Sequence, residues 1–246
     1  MKREELLKLF EQVGAIRTGH FELSSGRHSA TYIQCALVLE HPKHAEQLGR
    51  ALADLFRDHS VSCVVSPALG GVIIGYEVAR ALGVRSLFVE RDRSGQMALR
   101  RGFELKPGER VLVIEDVWTT GGSTRETIGV VEQSGGLAIA TGALIDRSGG
   151  RVELNVPARA LLEMEVSSYE PDDCPLCRAG GEPMRPGSRF SRTAPSHSAS
   201  SRPRKSWPTT QNRSPSPTHQ LRQLRLISRH PGSPRFSLLF SPLSAR

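Results

Sequence analysis

The chain has 246 residues, enough for one large domain or for a domain with an appendage. Its formal net charge is +8, yet residues 190–246 hold ten Lys/Arg and no Asp or Glu, which leaves residues 1–189 with a net of −2. The basic balance therefore belongs to the C-terminal stretch and gives no ground for a nucleic-acid-binding surface on the rest.

No apolar run approaches the length of a membrane span. Met1-Lys2-Arg3-Glu4-Glu5 opens an amphipathic pattern instead of the apolar core of a secretory leader. Four cysteines, Cys35, Cys63, Cys174 and Cys177, make no dense disulfide framework. These features together predict a soluble cytoplasmic protein without membrane partners.

Leu6, Leu7, Phe10 and Val13 fall on one helical face, and Gly14 stops that helix. Phe21-Glu22-Leu23 and Thr31-Tyr32-Ile33-Gln34-Cys35 are strand-like runs on either side of Ser24-Ser25-Gly26-Arg27. A helix starting near Pro42 turns Ala45, Leu48, Leu52, Leu55 and Phe56 inward. Cys63-Val64-Val65 reads as a buried strand, Pro67-Ala68-Leu69-Gly70-Gly71 as a loop, and a helix then runs to Leu82 with Gly83 as its stop. Ser86-Leu87-Phe88-Val89 is the next strand. Residues 91–109 are polar and irregular, with Arg91, Arg93, Arg100, Arg101 and Lys106.

Val111-Leu112-Val113-Ile114 is a further buried strand, which the carboxylates Glu115 and Asp116 end. Val117-Trp118 leads into the Thr/Gly-rich loop Thr119-Thr120-Gly121-Gly122-Ser123. Ser123-Thr124-Arg125-Glu126 has capping-box spacing and predicts the start of a helix that Gly135-Gly136 stop. Ala138–Ile145 is another buried strand, followed by Asp146-Arg147 and a Ser148-Gly149-Gly150 turn. Alternating units of this kind predict a parallel sheet covered by helices on both faces, with ligands at the carboxyl ends of its strands. Segments 66–71, 91–102, 115–123 and 146–147 all follow strands and can converge on one crevice.

The chemistry of the 111–123 run is specific. An anion-binding loop between a strand and a helix offers amide N–H groups and the positive end of the helix dipole. Two adjacent acids would repel the same phosphate, so they suit a ligand with a phosphate at one end and hydroxyls or a metal nearby. A phosphorylated ribose is such a ligand. The plain alternative is an ordinary strand–turn–helix with two solvated carboxylates. Arg91, Arg93, Arg100 and Arg101 offer bidentate phosphate contacts or, as plainly, a solvated basic loop.

This run resembles the phosphoribosyl-pyrophosphate (PRPP) signature of the type I phosphoribosyltransferases, with Trp118 standing where that family usually carries an aliphatic residue. Beyond it, residues 1–187 resemble the orotate phosphoribosyltransferases. Gly19-His20-Phe21-Glu22-Leu23-Ser24-Ser25-Gly26 is similar to that family's hood and base-binding segment, Ser66–Val72 to its pyrophosphate loop, and Leu144-Ile145-Asp146-Arg147 to the strand end whose arginine holds the orotate carboxylate. Pro186-Gly187-Ser188 resembles a bacterial branch.

The resemblance implies an α/β, type I phosphoribosyltransferase-like parallel sheet flanked by helices, with a small N-terminal hood. Composition and charge add a disordered C-terminal tail at 190–246, which carries no resemblance of its own, and leave the domain at 1–189. The resemblance also implies transfer of the phosphoribosyl group from PRPP to orotate by a homodimer in which one subunit's loop reaches the neighbour's site. Glu115, Asp116 and Arg91 would be catalytic. Val117, Trp118, Thr119, Thr120, Gly121, Gly122 and Ser123, with the acids and Arg91, would bind PRPP. Thr119, Arg147, Ser25, Gly26 and Arg27 would bind orotate.

Magnesium is the implied cofactor, held mainly through PRPP and water, with no protein cage. Ser24 and Gly70 stand where many members have lysines, and the stretch Glu90 to Arg101 is short and has no lysine or histidine. A purine-base phosphoribosyltransferase and a non-catalytic PRPP-binding regulator are the alternatives.

Two features stand apart. Asp146-Arg147 could be a simple surface ion pair. Cys174-Pro175-Leu176-Cys177 supplies two of the four ligands of a zinc site, and no histidine sits near the pair within residues 1–189, so a turn with two free thiols is expected unless a symmetry mate supplies a second pair. His20 and His28 are read as structural or solvated. The tail holds thirteen Ser and eight Pro in residues 190–246, which opposes a packed core. A tail translated out of frame or past a lost stop would have the same bias.

Overall fold

The computed structural model describes residues 1–23 and 25–186. The expectations placed on Ser24, on Gly187-Ser188 and on the tail lie outside these residues.

Helix α1 (Arg3–Gln12) buries Leu6 and Phe10. Strands β1 (Ile16–Glu22) and β2 (His28–Ile33) form an antiparallel hairpin. Its turn carries Gly26 at φ +82°, a left-handed conformation in which glycine alone is unstrained. A short helix α2 (Ala36–Leu39) precedes α3 (Pro42–Asp54), which begins with Pro42 in its first turn as expected. Strand β3 (Cys63–Pro67) is buried throughout. Helix α4 (Gly70–Leu82) ends on Gly83 at φ +71°.

Strands β4 (Arg85–Arg91) and β5 (Met97–Leu99) form a second hairpin, so the otherwise polar stretch after residue 91 contains a three-residue apolar strand that sequence alone does not separate. Strand β6 (Arg110–Trp118) leads to α5 (Gly122–Gln133), and β7 (Leu137–Asp146) and β8 (Ala158–Glu163) follow. The described chain closes with β9 (Ser168–Tyr169) and α6 (Pro175–Arg178).

The main sheet runs β5-β4-β3-β6-β7-β8, parallel except for the antiparallel edge strand β5. Strand pleating divides β6 between two cores. Leu112 and Ile114 join the cluster built with α1–α4, whereas Val111 and Val113 join the one under α5. Each such side chain, fully buried, contributes about 1.5–3 kcal/mol of transfer free energy. β1, β2 and β9 form a separate three-stranded sheet, the hood, drawn from both ends of the described chain. Among the described residues no helix is long and apolar enough to cross a membrane.

Two local expectations are corrected. Strand β6 does not stop at Ile114, because β7 pairs with it as far as Trp118↔Asp146 and carries Glu115 and Asp116 inside the strand. The capping box at Ser123–Glu126 does not form. The N-cap of α5 is Gly121 at φ +74°, without a side-chain cap, and the helix begins at Gly122.

Candidate active site

At the carboxyl end of β6 the chain turns through Thr119-Thr120-Gly121 into α5. An open cavity of about 270 Å³ lies there, lined by Arg91, Glu115, the loop Val117–Thr124 and Glu126. The first-turn amides of a helix have no intrahelical acceptor, and at α5 no side chain caps them. Gly121 leaves no room for a side chain, since a Cβ would meet Val152 Cγ1 at 2.7 Å and Leu154 Cδ2 at 2.8 Å. Trp118, the departure from the family pattern, turns inward. It is 3% exposed, and its indole Nε1 donates to Thr124 Oγ1 at 3.1 Å. The strand end is thereby tied to the first turn of α5 across the loop.

Glu115 is buried and Asp116 half-buried. Burial, followed by repulsion from Asp116, pushes the Glu115 carboxyl up to about 9. Burial also raises Asp116. Without a ligand, the pair holds a proton at neutral pH. The start of α4 packs against both acids. A Cβ on Gly70 would meet the Asp116 carboxylate, and one on Gly71 would stand 3.3 Å from Glu115 Oε1. The peptide between Ala68 and Leu69, just before this helix, is cis.

Arg91 reaches the cavity from the end of β4. Its Nη1 donates to Glu126 Oε2 at 2.9 Å and to the Gly95 carbonyl at 2.6 Å, and its Nη2 donates to Glu126 Oε1 at 3.2 Å. Glu126, expected to cap its own helix, instead binds a cation 35 residues away. Arg100 and Arg101 both pair with Glu90. The β4–β5 connection is a tight turn in which Asp92 Oδ1 accepts from Ser94 N, Ser94 Oγ and Gln96 N. Arg93 sits in that turn and makes no ion pair with a described residue.

Arg147 follows β7 directly, and its amide donates to the Trp118 carbonyl at 3.0 Å, beside the start of the Thr119–Ser123 loop. It is not the surface ion pair that Asp146-Arg147 could suggest. Asp146 is buried and accepts from Ser148 N, Ser148 Oγ and Gly150 N at 2.6–3.1 Å. The Arg147 guanidinium is half-buried, makes no ion pair among the described residues, and is lowered from its ordinary value by desolvation alone.

The Ser25–Arg27 turn and Arg147 do not line the loop cavity itself. Arg27 is committed elsewhere. Its guanidinium donates to Ser168 Oγ at 2.9 Å and the Ser168 carbonyl at 2.7 Å, and pairs with Glu170. It therefore pins β9 to the hairpin. Cys174 and Cys177 are free thiols, as expected, but His20 and His28, set aside on sequence grounds, stand together with them.

A phosphoribosyl transferase domain model matches residues 36–174. The orotate phosphoribosyltransferase of Pelotomaculum thermopropionicum is 56% identical over 189 residues, covering 77% of this chain and 99% of that protein. Among solved structures, the orotate phosphoribosyltransferase of Mycobacterium tuberculosis in complex with PRPP superposes with a TM-score of 0.55 at 27% identity, over 66% of this chain and 96% of that one. The adenine phosphoribosyltransferase of Rhodothermus marinus superposes with a TM-score of 0.51 at 26% identity, over 65% of this chain and 99% of that one. The fold is thus shared between pyrimidine and purine enzymes, and it is the far closer match in sequence that separates them: the chain belongs to the orotate phosphoribosyltransferase family.

Proposed function

We infer that this chain transfers the 5-phosphoribosyl group from PRPP to orotate, giving orotidine 5′-monophosphate and pyrophosphate, a step in making pyrimidine nucleotides. The observation that carries the choice of base is Arg147. A half-buried guanidinium that makes no ion pair among the described residues, on a residue whose backbone amide is bonded to the Trp118 carbonyl, is an uncompensated cation that an anionic base would neutralise. Adenine and hypoxanthine are neutral bases without a carboxylate to pair with it.

In this reading the uncapped amides of α5 and the hydroxyls of Thr119, Thr120 and Ser123 hold the 5′-phosphate. Glu115 and Asp116 accept from the ribose hydroxyls and face the positive charge that develops on the sugar as the C1–O bond breaks. Arg91 binds the leaving pyrophosphate, exchanging its Glu126 contact for phosphate oxygens. Thr119 and the Ser25-Gly26-Arg27 turn border the base, with Arg27 holding the turn in place.

The donor set, carboxylate and hydroxyl oxygens around a phosphate site, fits magnesium. When bound, magnesium neutralises pyrophosphate charge. The protein would act as a cytoplasmic homodimer, in which Arg93 at the tip of the β4–β5 turn is the loop cation placed to serve a neighbour's site. Hybrid dimers of an Asp116→Asn subunit and an Arg93→Ala subunit would then recover part of the activity.

A substrate panel tests the reading. Purified protein with PRPP and magnesium should consume orotate and leave adenine, hypoxanthine and xanthine untouched. Turnover of a purine base without turnover of orotate would overturn it.

A further inference from the structure

Four metal-binding side chains that lie far apart in the chain meet between the hood and the C-terminal segment. His20 is on β1, His28 opens β2, and Cys174 and Cys177 flank the first turn of α6. One ligand atom from each lies within 4.8 Å of all the others. We propose that His20, His28, Cys174 and Cys177 form a structural zinc site that fastens the C-terminal segment to the hood. Nothing in the phosphoribosyl-transfer reading requires it.

The geometry supports a tetrahedral ion. Zn–N bonds of about 2.0–2.1 Å and Zn–S bonds of about 2.3 Å, set at tetrahedral angles, put N···N near 3.4 Å and N···S near 3.6 Å. The His20 Nε2 to His28 Nδ1 distance is 3.1 Å. Cys174 Sγ and Cys177 Sγ stand 3.6 and 3.8 Å from His20 Nε2, and Cys177 Sγ stands 3.3 Å from His28 Nδ1. These four distances match the edges of a coordination tetrahedron to within a few tenths of an ångström, and the remaining two are no longer than 4.8 Å.

The surroundings supply a partner of the kind that metal-bound histidines have. His20 Nδ1 lies 2.9 Å from the Gly181 carbonyl oxygen, which can only accept. The Nδ1 therefore carries the proton, and the Nε2 lone pair faces the two sulfurs and His28. A carbonyl behind a coordinating imidazole fixes both tautomer and ring orientation. Cys174 and His28 are buried, at 1% and 6% exposure, so a bound ion would be shielded.

Four protein ligands complete the coordination shell and leave no position for a substrate, as in structural sites. Two thiols and two imidazoles suit zinc and reject magnesium, so this site and the PRPP site would not compete for metal. Binding forms two Zn–S and two Zn–N bonds and releases the two thiol protons to solvent, with no change of oxidation state.

The consequence for the fold is a crosslink of about 150 residues in sequence. It would sit beside weaker links between the same segments: the Met184 amide to the His20 carbonyl at 2.8 Å, and the Glu22 amide to the Met184 carbonyl at 2.8 Å.

The test uses the full chain, expressed in zinc-supplemented medium with a tag that contains no histidine. Elemental analysis should find about one zinc per chain after dialysis. Replacement by cobalt should give the intense visible bands of a tetrahedral ion and a thiolate-to-cobalt charge-transfer band. The double variant Cys174→Ser/Cys177→Ser should lose both. Should that variant fail to fold, titration of reduced, metal-stripped wild type with zinc takes its place. It should raise the melting temperature and saturate at one equivalent.

Zinc at background level with no saturable rise in melting temperature would overturn the proposal. So would full retention of zinc by the folded double variant, or a Cys174–Cys177 disulfide in freshly purified protein.

Discussion

Gly70 at the start of α4 and Asp116 inside β6 touch so closely that one excludes a side chain on the other. A Cβ at position 70 would stand 2.6 Å from Asp116 Oδ1 and 2.8 Å from Oδ2. The carboxylate is buttressed by the bare backbone at the start of α4. Gly70→Ala should displace Asp116. We expect kcat/KM for PRPP to fall tenfold or more, a loss of about 1.4 kcal/mol in transition-state binding, while the protein stays folded by circular dichroism. Unaltered kinetics would mean that Asp116 can relax without consequence.

Glu115 makes the free enzyme sensitive to alkali. In the folded chain its carboxyl holds a proton up to about 9, whereas the unfolded carboxyl loses it near the ordinary 4.5. Between those values the folded state binds more protons, so stability falls as pH rises across that window, by up to ~1.4 kcal/mol per pH unit. Melting curves without ligand at about pH 5.5 and pH 8.5 should show a larger drop for wild type than for Glu115→Gln. Parallel drops in the two proteins would remove the buried acid as the cause.

Arg147→Ala should raise KM for orotate and lower kcat/KM by about 100-fold, in line with the ~1.5–3 kcal/mol of a hydrogen bond to a charged partner. Binding of PRPP, measured by calorimetry in the absence of orotate, should change little. An equal loss for both substrates would assign Arg147 to the loop's architecture.

The Trp118–Thr124 hydrogen bond predicts a pair effect. Trp118→Phe removes the donor together with part of the buried ring area. Thr124→Val removes only the acceptor. Each should cost about 1 kcal/mol of stability and raise KM for PRPP several-fold. The double variant should cost less than the sum, because both changes break one bond. Strict additivity would show that the two side chains act separately.

Truncation after Arg189 should leave turnover intact. The relative from Pelotomaculum aligns over 189 residues and is covered to 99%, and every residue assigned a role here lies before that point. Loss of activity on truncation, in moderate salt, would give the basic stretch a function.

The signature from Val111 to Ser123 was readable because its chemistry is local: apolar strand, paired acids, glycine-rich turn. Its extent was not. Glu115 and Asp116 look like strand terminators until β7 is known to run beside them as far as Asp146, and no local pattern reports the length of a partner strand. Ser123–Glu126 had the spacing of a capping box, yet Glu126 found Arg91 through tertiary contact. β8, with exposed residues at both ends and one buried position, carries no periodicity to detect. The histidine–cysteine cluster was invisible for a similar reason. Cys174 and Cys177 are about 150 residues from their neighbours, and tertiary contacts such as the pairing of β2 with β9 bring them together.

That pairing also sets an order of events during synthesis. The parallel sheet as far as β7 is complete once residue 146 has been made, but the hood lacks its third strand until Ser168 and Tyr169 emerge. Chains grow from the N-terminus at about 5–20 residues per second, so the β1–β2 hairpin waits several seconds for β9 with one edge unpaired. The half of the molecule assigned to the sugar phosphate is therefore built first, and the half assigned to the base is finished last. A ribosome-bound chain stalled so that residue 150 has just left the exit tunnel should already protect β6 from proteolysis while leaving the hairpin open to cleavage.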